Sequence, residues 1–330
     1  MITIMKKVRL GQTDMYVNVV GLGCMGFSHA SGAPLSKEES IRILREAHEI
    51  GYNFYDTAEC YTGINEDGSI NYNEELVGEA IKDFRDEIIL CTKFGVTHKG
   101  DHLELDSSPK KIRESVEKSL KKLQTDHIDL YYQHRIDPKV EPEVVAEVMK
   151  ELIEEGKIKA WGISEVNEDY LRRAHAVCPV TAIENRYSMM ARWHENLFPV
   201  CKELGISYVA FSPMANGALT GAYRKNEFSK DGSDFRANMP QYTPEGIKKT
   251  EALLEVLEQV AKSHNATLAQ ISLAWMINKE DFIIPIPGSR KIDRLISNYH
   301  AGDITLSKEE MNLLEEKLNT MTFDVFGGHK

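Results

Sequence analysis

The chain has 330 residues, of which 42% are hydrophobic and 28% charged, and a formal net charge of −11 from 40 Lys+Arg against 51 Asp+Glu. Apolar residues recur along the whole length, which excludes disorder as the main state. The acidic balance speaks against a nucleic-acid or anionic-membrane surface, which needs clustered positive charge. The five cysteines, Cys24, Cys60, Cys91, Cys178 and Cys201, are odd in number and form no CxxC. Neither a disulfide framework nor a metal site is expected from them, and a reducing cytoplasm is the default compartment. Met1 to Lys7 carries no long apolar core of the kind a signal peptide has, and no apolar run is long enough to span a bilayer.

Short β-rich runs alternate with amphipathic helices. After a hairpin expected between Lys7 and Val20, the first run is Val19 to Leu22. A helix follows from Ser36, where Ser36 and Glu39 form a capping box, Ile41 and Leu44 repeat at helical spacing, and Gly51 is the stop. The second run, Asn53 to Asp56, precedes a helix near Asn73 to Phe84. The third, Ile88 to Lys93, precedes a helix with Ser108 as N-cap, Pro109 at its first position, and a buried stripe of Ile112, Val116, Leu120 and Leu123. The fourth, Ile128 to Gln133, leads to a helix from Pro142 to Glu155, stopped at Gly156. The fifth, Ala160 to Ser164, leads to a helix capped near Asn167. The sixth is Thr181 to Ile183, with a helix through Leu197 to Leu204. The seventh, Ile206 to Phe211, is followed by a polar insertion from Tyr223 to Thr243 and by helices around Glu251 to Ser263 and Thr267 to Asn278. The eighth, Phe282 to Pro285, precedes a helix from about Lys291 to Ser297, and a last helix starts on a second box, Ser307 and Glu310. Eight strand–helix units predict parallel strands with helical crossovers, closed as one (β/α)₈ barrel over residues 1–330. A doubly wound open sheet is the runner-up.

In such a barrel the chemistry sits at the C-terminal ends of the strands. The second strand runs out into Asp56-Thr-Ala-Glu-Cys-Tyr61, the third into Lys93 and the fourth into His134. These four side chains have complementary chemistry. An ammonium stabilises a phenolate and makes a tyrosine a better acid, an aspartate holds the ammonium in place, and a histidine can orient a carbonyl oxygen. Each residue alone has an ordinary structural reading; on consecutive strands they form a set.

Six segments together resemble the aldo-keto reductases: Gly21-Leu-Gly-Cys-Met-Gly26, Asp56 to Tyr61, Thr92-Lys93-Phe94-Gly95, Tyr132-Gln-His-Arg135, Trp161-Gly-Ile-Ser164 and Ile286-Pro-Gly-Ser-Arg290. The resemblance covers essentially the whole chain. It implies NADPH-dependent reduction of aldehyde or ketone carbonyls, with Asp56, Tyr61, Lys93 and His134 as the catalytic residues. It also places Gly23 and Met25 near the nicotinamide, and Phe211 stacked on it. Ser212, Pro213, Met214, Gly217 and Leu219 fall at the pyrophosphate, Gly288 and Ser289 in the phosphate loop, and Asn298 at the adenine. Ser164 is the retained carboxamide contact, whereas Glu165 and Glu184 or Asn185 stand where many members have amides. Potassium-channel β subunits, which bind NADPH and act as partner proteins, supply a non-enzymatic alternative.

The spacing of Gly21, Gly23 and Gly26 fits GxGxxG, but no helix opens directly after it, so the dinucleotide-fingerprint reading fails. A better phosphate signal follows the eighth strand. Ser289 offers a hydroxyl there, and Arg290, Lys291 and Arg294 offer charge at a helix start. That density of charge suits a 2′-phosphate and favours NADP over NAD. Cys60 reads as packing. A Schiff-base lyase using Lys93 is the rival enzyme class. The partner is a small carbonyl compound chosen by the loops 27–35, 62–73 and 223–243.

Overall fold

The computed structural model describes residues 6–29, 33–100, 102–228 and 234–328. Met1 to Met5 and parts of the loops 27–35 and 223–243 lie outside the described residues.

Eight strands form one sheet in chain order: β1 (Leu22–Gly23), β2 (Phe54–Asp56), β3 (Ile89–Phe94), β4 (Ile128–Gln133), β5 (Ile158–Ser164), β6 (Ala182–Arg186), β7 (Ser207–Phe211) and β8 (Ile283–Pro285). Every paired neighbour is parallel. The first and last strands then meet. Gly21 N donates to Pro285 O at 2.9 Å and Gly23 N to Pro287 O at 3.3 Å, which closes the (β/α)₈ barrel.

The glycine motif serves this seam. A Cβ on Gly23 would lie 2.7 Å from Ile286 O, and one on Gly288 would lie 2.6 Å from Gly23 O, so the two backbones touch without room for a side chain. Met25–Phe27, with Gly26 inside it, is a short 3₁₀ turn, and α1 (Lys37–Ile50) starts well beyond it.

The other end of the barrel is plugged. The N-terminal hairpin pairs Lys7–Arg9 with Tyr16–Asn18, and its Leu10 and Val17 join Phe54, Cys91, Leu130, Tyr132, Ala160, Ala182, Val209 and Ile284 in one buried inner cluster. A second, larger core lies between the strands and the surrounding helices. Chemistry is thereby confined to the open mouth. Among the described residues no helix is long and apolar enough to cross a membrane.

The crossover helices follow their signals. Ser108 caps α3 (Pro109–Leu123) and Asn167 caps α5 (Glu168–Val177), whereas α2 (Asn73–Ile81) ends sooner than predicted. The box at Ser307 is reciprocal on α10 (Lys308–Asn319). The box at Ser36 is half formed: Ser36 accepts from Glu39 N, but Arg42 takes the Glu39 carboxylate. The helix expected from Glu251 begins earlier. Thr243 caps it and Pro244 opens it, so α7 spans Pro244–His264. β1 is shorter than predicted because Val19 and Val20 turn inward as a bend before the seam. Two hairpins at the mouth were unforeseen, Thr62–Ile64 with Ile70–Tyr72 and Val96–Lys99 with His102–Leu105.

Candidate active site at the barrel mouth

Asp56 ends β2, Lys93 lies near the end of β3, and His134 follows β4, so parallel register alone brings them to one rim. The loop after β2 is folded back by hydrogen bonds from Thr57 N to Cys91 O and Glu59 N to Lys93 O, which presents Tyr61 above Lys93. Asn73 pins this loop. It accepts from Thr57 Oγ1 at 2.6 Å and donates to Ser28 Oγ at 2.8 Å, while its backbone N–H binds Tyr61 O at 3.0 Å. The four expected residues are thus brought together.

Lys93 is fully buried. Its Nζ bonds Asp56 Oδ1, donates to Thr57 O at 3.0 Å and to Tyr61 Oη at 3.3 Å, and lies 3.4 Å from Glu184 Oε1. Burial works against the ammonium, but Asp56, then Glu184 and Tyr61, outweigh it and hold Lys93 well above its usual value. A lysine so fixed in its charged form is a poor Schiff-base nucleophile, which disfavours the lyase reading.

The expected effect of Lys93 on Tyr61 has the right sign and is not the larger effect. Burial raises the phenol and Lys93 opposes it, with a net upward shift that keeps Tyr61 protonated. His134 is pushed well below its usual value by burial first, then by Arg135 and Lys93. Its neutral ring meets Cys60, whose Sγ stands 3.4 Å from Nδ1, with the thiol itself raised to about 12 by burial. Cys60 is therefore a contact of the site and not mere packing.

Sequence reasoning missed the role of Glu184. Of the two candidates on β6, Asn185 is tied to the backbone of Val166 by both ends of its amide, at 3.2 and 3.1 Å, while Glu184 points to Lys93. Strand alternation separates them. Glu165 turns away and accepts from Arg186 N at 2.8 Å.

The remaining residues ring the mouth. Ser164 is buried and accepts from Arg135 at 3.0 Å. Phe211 is partly exposed and lies under two guanidiniums, Arg186 at 4.9 Å and Arg135 at 5.8 Å. Beyond it Ser212, Ala215, Asn216 and Gly217 all have positive φ, a run of left-handed backbone around Pro213, Met214 and Leu219 in which Ala215 N donates to Ser212 O and Gly217 N and Leu219 N to Met214 O. Gly23 and Gly288 form the seam. Met25 opens the turn after it, Ser289 Oγ accepts from Lys291 N at 3.1 Å, and Asn298 is buried on α9 (Ile292–Tyr299). Lys291 and Arg294 are exposed. Arg290 is committed locally: it donates to Gly26 O and, at 2.8 Å, to Ala33 O. Arg236, from the insertion, was not foreseen. Its guanidinium lies 5.0 Å from the Tyr223 ring centroid. Burial raises the Tyr223 phenol, but Arg236 and Arg294 together outweigh it and lower the group, so charge from two distant segments converges on one tyrosine.

These residues fit a nicotinamide dinucleotide. The Nη2 of Arg290 is buried without a hydrogen-bond partner, and Lys291 and Arg294 stand exposed beside it at the start of α9.

The family model described as "Aldo/keto reductase family" matches residues 19–319. The chain belongs to the aldo/keto reductase family, and is an oxidoreductase of carbonyl compounds that uses a nicotinamide cofactor. A curated relative from Glycine max, "Probable aldo-keto reductase 1", is 37% identical over 324 residues, covering 97% of this chain and 90% of its own. Among solved structures, aldo-keto reductase AKR11C1 from Bacillus halodurans in its holo form is 28% identical with a TM-score of 0.78, covering 97% of this chain and 99% of that one. A thermostable aldo-keto reductase with the inhibitor epalrestat is 29% identical with a TM-score of 0.75, covering 95% of this chain and 100% of that one.

Proposed function

We propose that this enzyme reduces aldehyde or ketone carbonyls to alcohols with NADPH, and that Tyr61 is the proton donor. The observation that carries this is Tyr61 Oη 3.3 Å from an Nζ that Asp56 holds charged.

When bound, NADPH supplies the hydride. Arg294, Lys291 and Ser289 would hold the 2′-phosphate, with Arg290 steadying the adjoining loop. The loop from Ser212 to Leu219 would hold the pyrophosphate, Phe211 and Ser164 the nicotinamide, and Asn298 the adenine. Gly23 and Met25 would line its path.

Tyr61 keeps its proton at neutral pH and gives it up only as negative charge grows on the carbonyl oxygen. Lys93, 3.3 Å away, then stabilises the phenolate. Asp56 fixes Lys93 and prevents it from wandering. His134 is neutral; in the tautomer whose Nδ1 accepts from the Cys60 thiol, its proton sits on Nε2 and would donate to the carbonyl oxygen.

Tyr61→Phe tests the assignment. Turnover should fall by about 10²- to 10⁴-fold, while NADPH binding, followed by fluorescence, stays unchanged. Near-normal reduction would remove Tyr61 from the role of acid. Equal binding of NADPH and NADH by the unaltered enzyme would remove the 2′-phosphate site.

A further inference from the structure

We propose that Glu184 is a positioning residue of this site: it stands on Lys93 and Asp56 as a neutral carboxylic acid, and its ionisation sets the alkaline limit of turnover.

The argument begins with a charge count. Asp56, Lys93 and Glu184 are 2%, 0% and 3% exposed, so two carboxyl groups and one ammonium share a site closed to water. With both carboxyls ionised the trio would hold an uncompensated buried negative charge, which is costly without solvent. One retained proton makes the trio neutral.

The geometry assigns the proton. Lys93 has three N–H bonds, which go to Asp56 Oδ1, to Thr57 O, and toward Tyr61 Oη with Glu184 Oε1 alongside. That leaves Asp56 Oδ2 and Glu184 Oε2 buried without a partner. Both carboxyls face the same ammonium, Asp56 in direct contact and Glu184 at 3.4 Å, and a proton shared between them gives both oxygens a partner. Asp56 makes the closer contact with the ammonium and is the better anion, so the proton resides on Glu184.

The other groups that face Glu184 leave this balance intact. Arg135 favours its ionisation, but is held by His134 O and Ser164. Tyr132 from β4, Cys91 from β3 and Tyr61 from the loop are neutral. Burial first, then Asp56, push Glu184 up to about 8. The two carboxyls titrate as a pair.

The consequence reaches Tyr61 through charge. An ionised Glu184 raises the phenol further and competes with it for Lys93, so the phenolate is less well stabilised. Turnover therefore falls as pH rises through the ionisation of the pair. This kinetic consequence rests on the proposed reductase mechanism; the proton itself does not.

The test is an infrared pH titration of the purified chain without added cofactor, in wild type, E184Q and E184M. The difference between wild type and either variant should show a protonated carboxylic band at neutral pH that disappears with a midpoint near 8. Glu74, a second buried carboxyl held up by burial, cancels in this difference. The alkaline limb of the pH profile of carbonyl reduction should leave that midpoint in E184Q and move up by about one pH unit or more. No difference band at neutral pH overturns the proposal, as does an alkaline limb unchanged in E184Q. A difference band in a chain that reduces no carbonyl would uphold the buried proton and overturn the reductase reading. Should E184Q fail to fold, E184M gives the same infrared readout.

Discussion

Cys60 Sγ lies 3.4 Å from His134 Nδ1, so the residue preceding Tyr61 in the chain also contacts the ring of a histidine from another strand end. The thiol is too high in pKa to act as a nucleophile at neutral pH. A thiol that keeps its proton is able to donate it to the neutral ring, and the loss of that contact is what substitution reads. Cys60→Val should lower kcat by about 3- to 10-fold, the worth of one hydrogen bond, with cofactor binding intact. Cys60→Ser should restore most of it. Steady-state kinetics checks both, and ¹⁵N chemical shifts of the ring report the tautomer directly.

Arg294 and Arg290 should behave differently although they are near neighbours. Arg294 is exposed and reaches Tyr223, while Arg290 ties residues Gly26 and Ala33. Arg294→Ala should weaken NADPH by about tenfold or more, as loss of a charged hydrogen bond does, and leave NADH unchanged. Arg290→Ala should weaken both coenzymes alike, since it loosens a loop. Paired fluorescence titrations separate the two outcomes.

The seam between β1 and the loop after β8 has no room for a methyl group. Gly23→Ala would set a Cβ 2.7 Å from a backbone oxygen, Ile286 O, which no side-chain rotation can relieve. The expected cost is about 1–3 kcal/mol, measured as a lower urea midpoint at unchanged slope.

The box at the start of α10 predicts an acid limb to stability. Burial, the largest single effect, raises the Glu310 carboxyl, but Ser307 N, His264 and Ser263 together outweigh it and draw the group down to about 2. A carboxyl lowered in the folded state stabilises above its unfolded value and loses that contribution as pH falls toward 2. Glu310→Gln should flatten stability over that acid interval, as read by denaturation at several pH values. Ser307→Ala should cost about 1 kcal/mol at neutral pH.

Much of the fold was legible in local pattern. The period of the apolar residues separated strands from helices, and β4 spans the very residues the pattern marked, Ile128–Gln133. Caps located several helix starts because a serine, threonine or asparagine before a turn has a local task. The start of α7 was misplaced although Thr243-Pro244 carried the same signal that was read at Ser108-Pro109. The hairpin Thr62–Ile64 with Ile70–Tyr72 turns around Asp67-Gly68, a turn signal present in the sequence and overlooked. The four central residues Asp56, Tyr61, Lys93 and His134 were legible because parallel strands bring their C-terminal ends to one rim whatever else happens.

By its own pattern, then, the sequence determined the alternation of strands and helices, the parallel order, and the rim at which polar side chains gather. These follow from spacing along the chain and from forces that act within a few residues. Only the tertiary structure decided which way neighbouring residues face across the barrel. It sent Glu184 to Lys93 and Asn185 to Val166, brought Arg236 and Arg294 to one tyrosine, and turned an N-terminal hairpin into a plug. The reason is geometric: contacts between remote residues depend on the register and closure of the whole sheet, and a shift of one residue would exchange every inward side chain for an outward one.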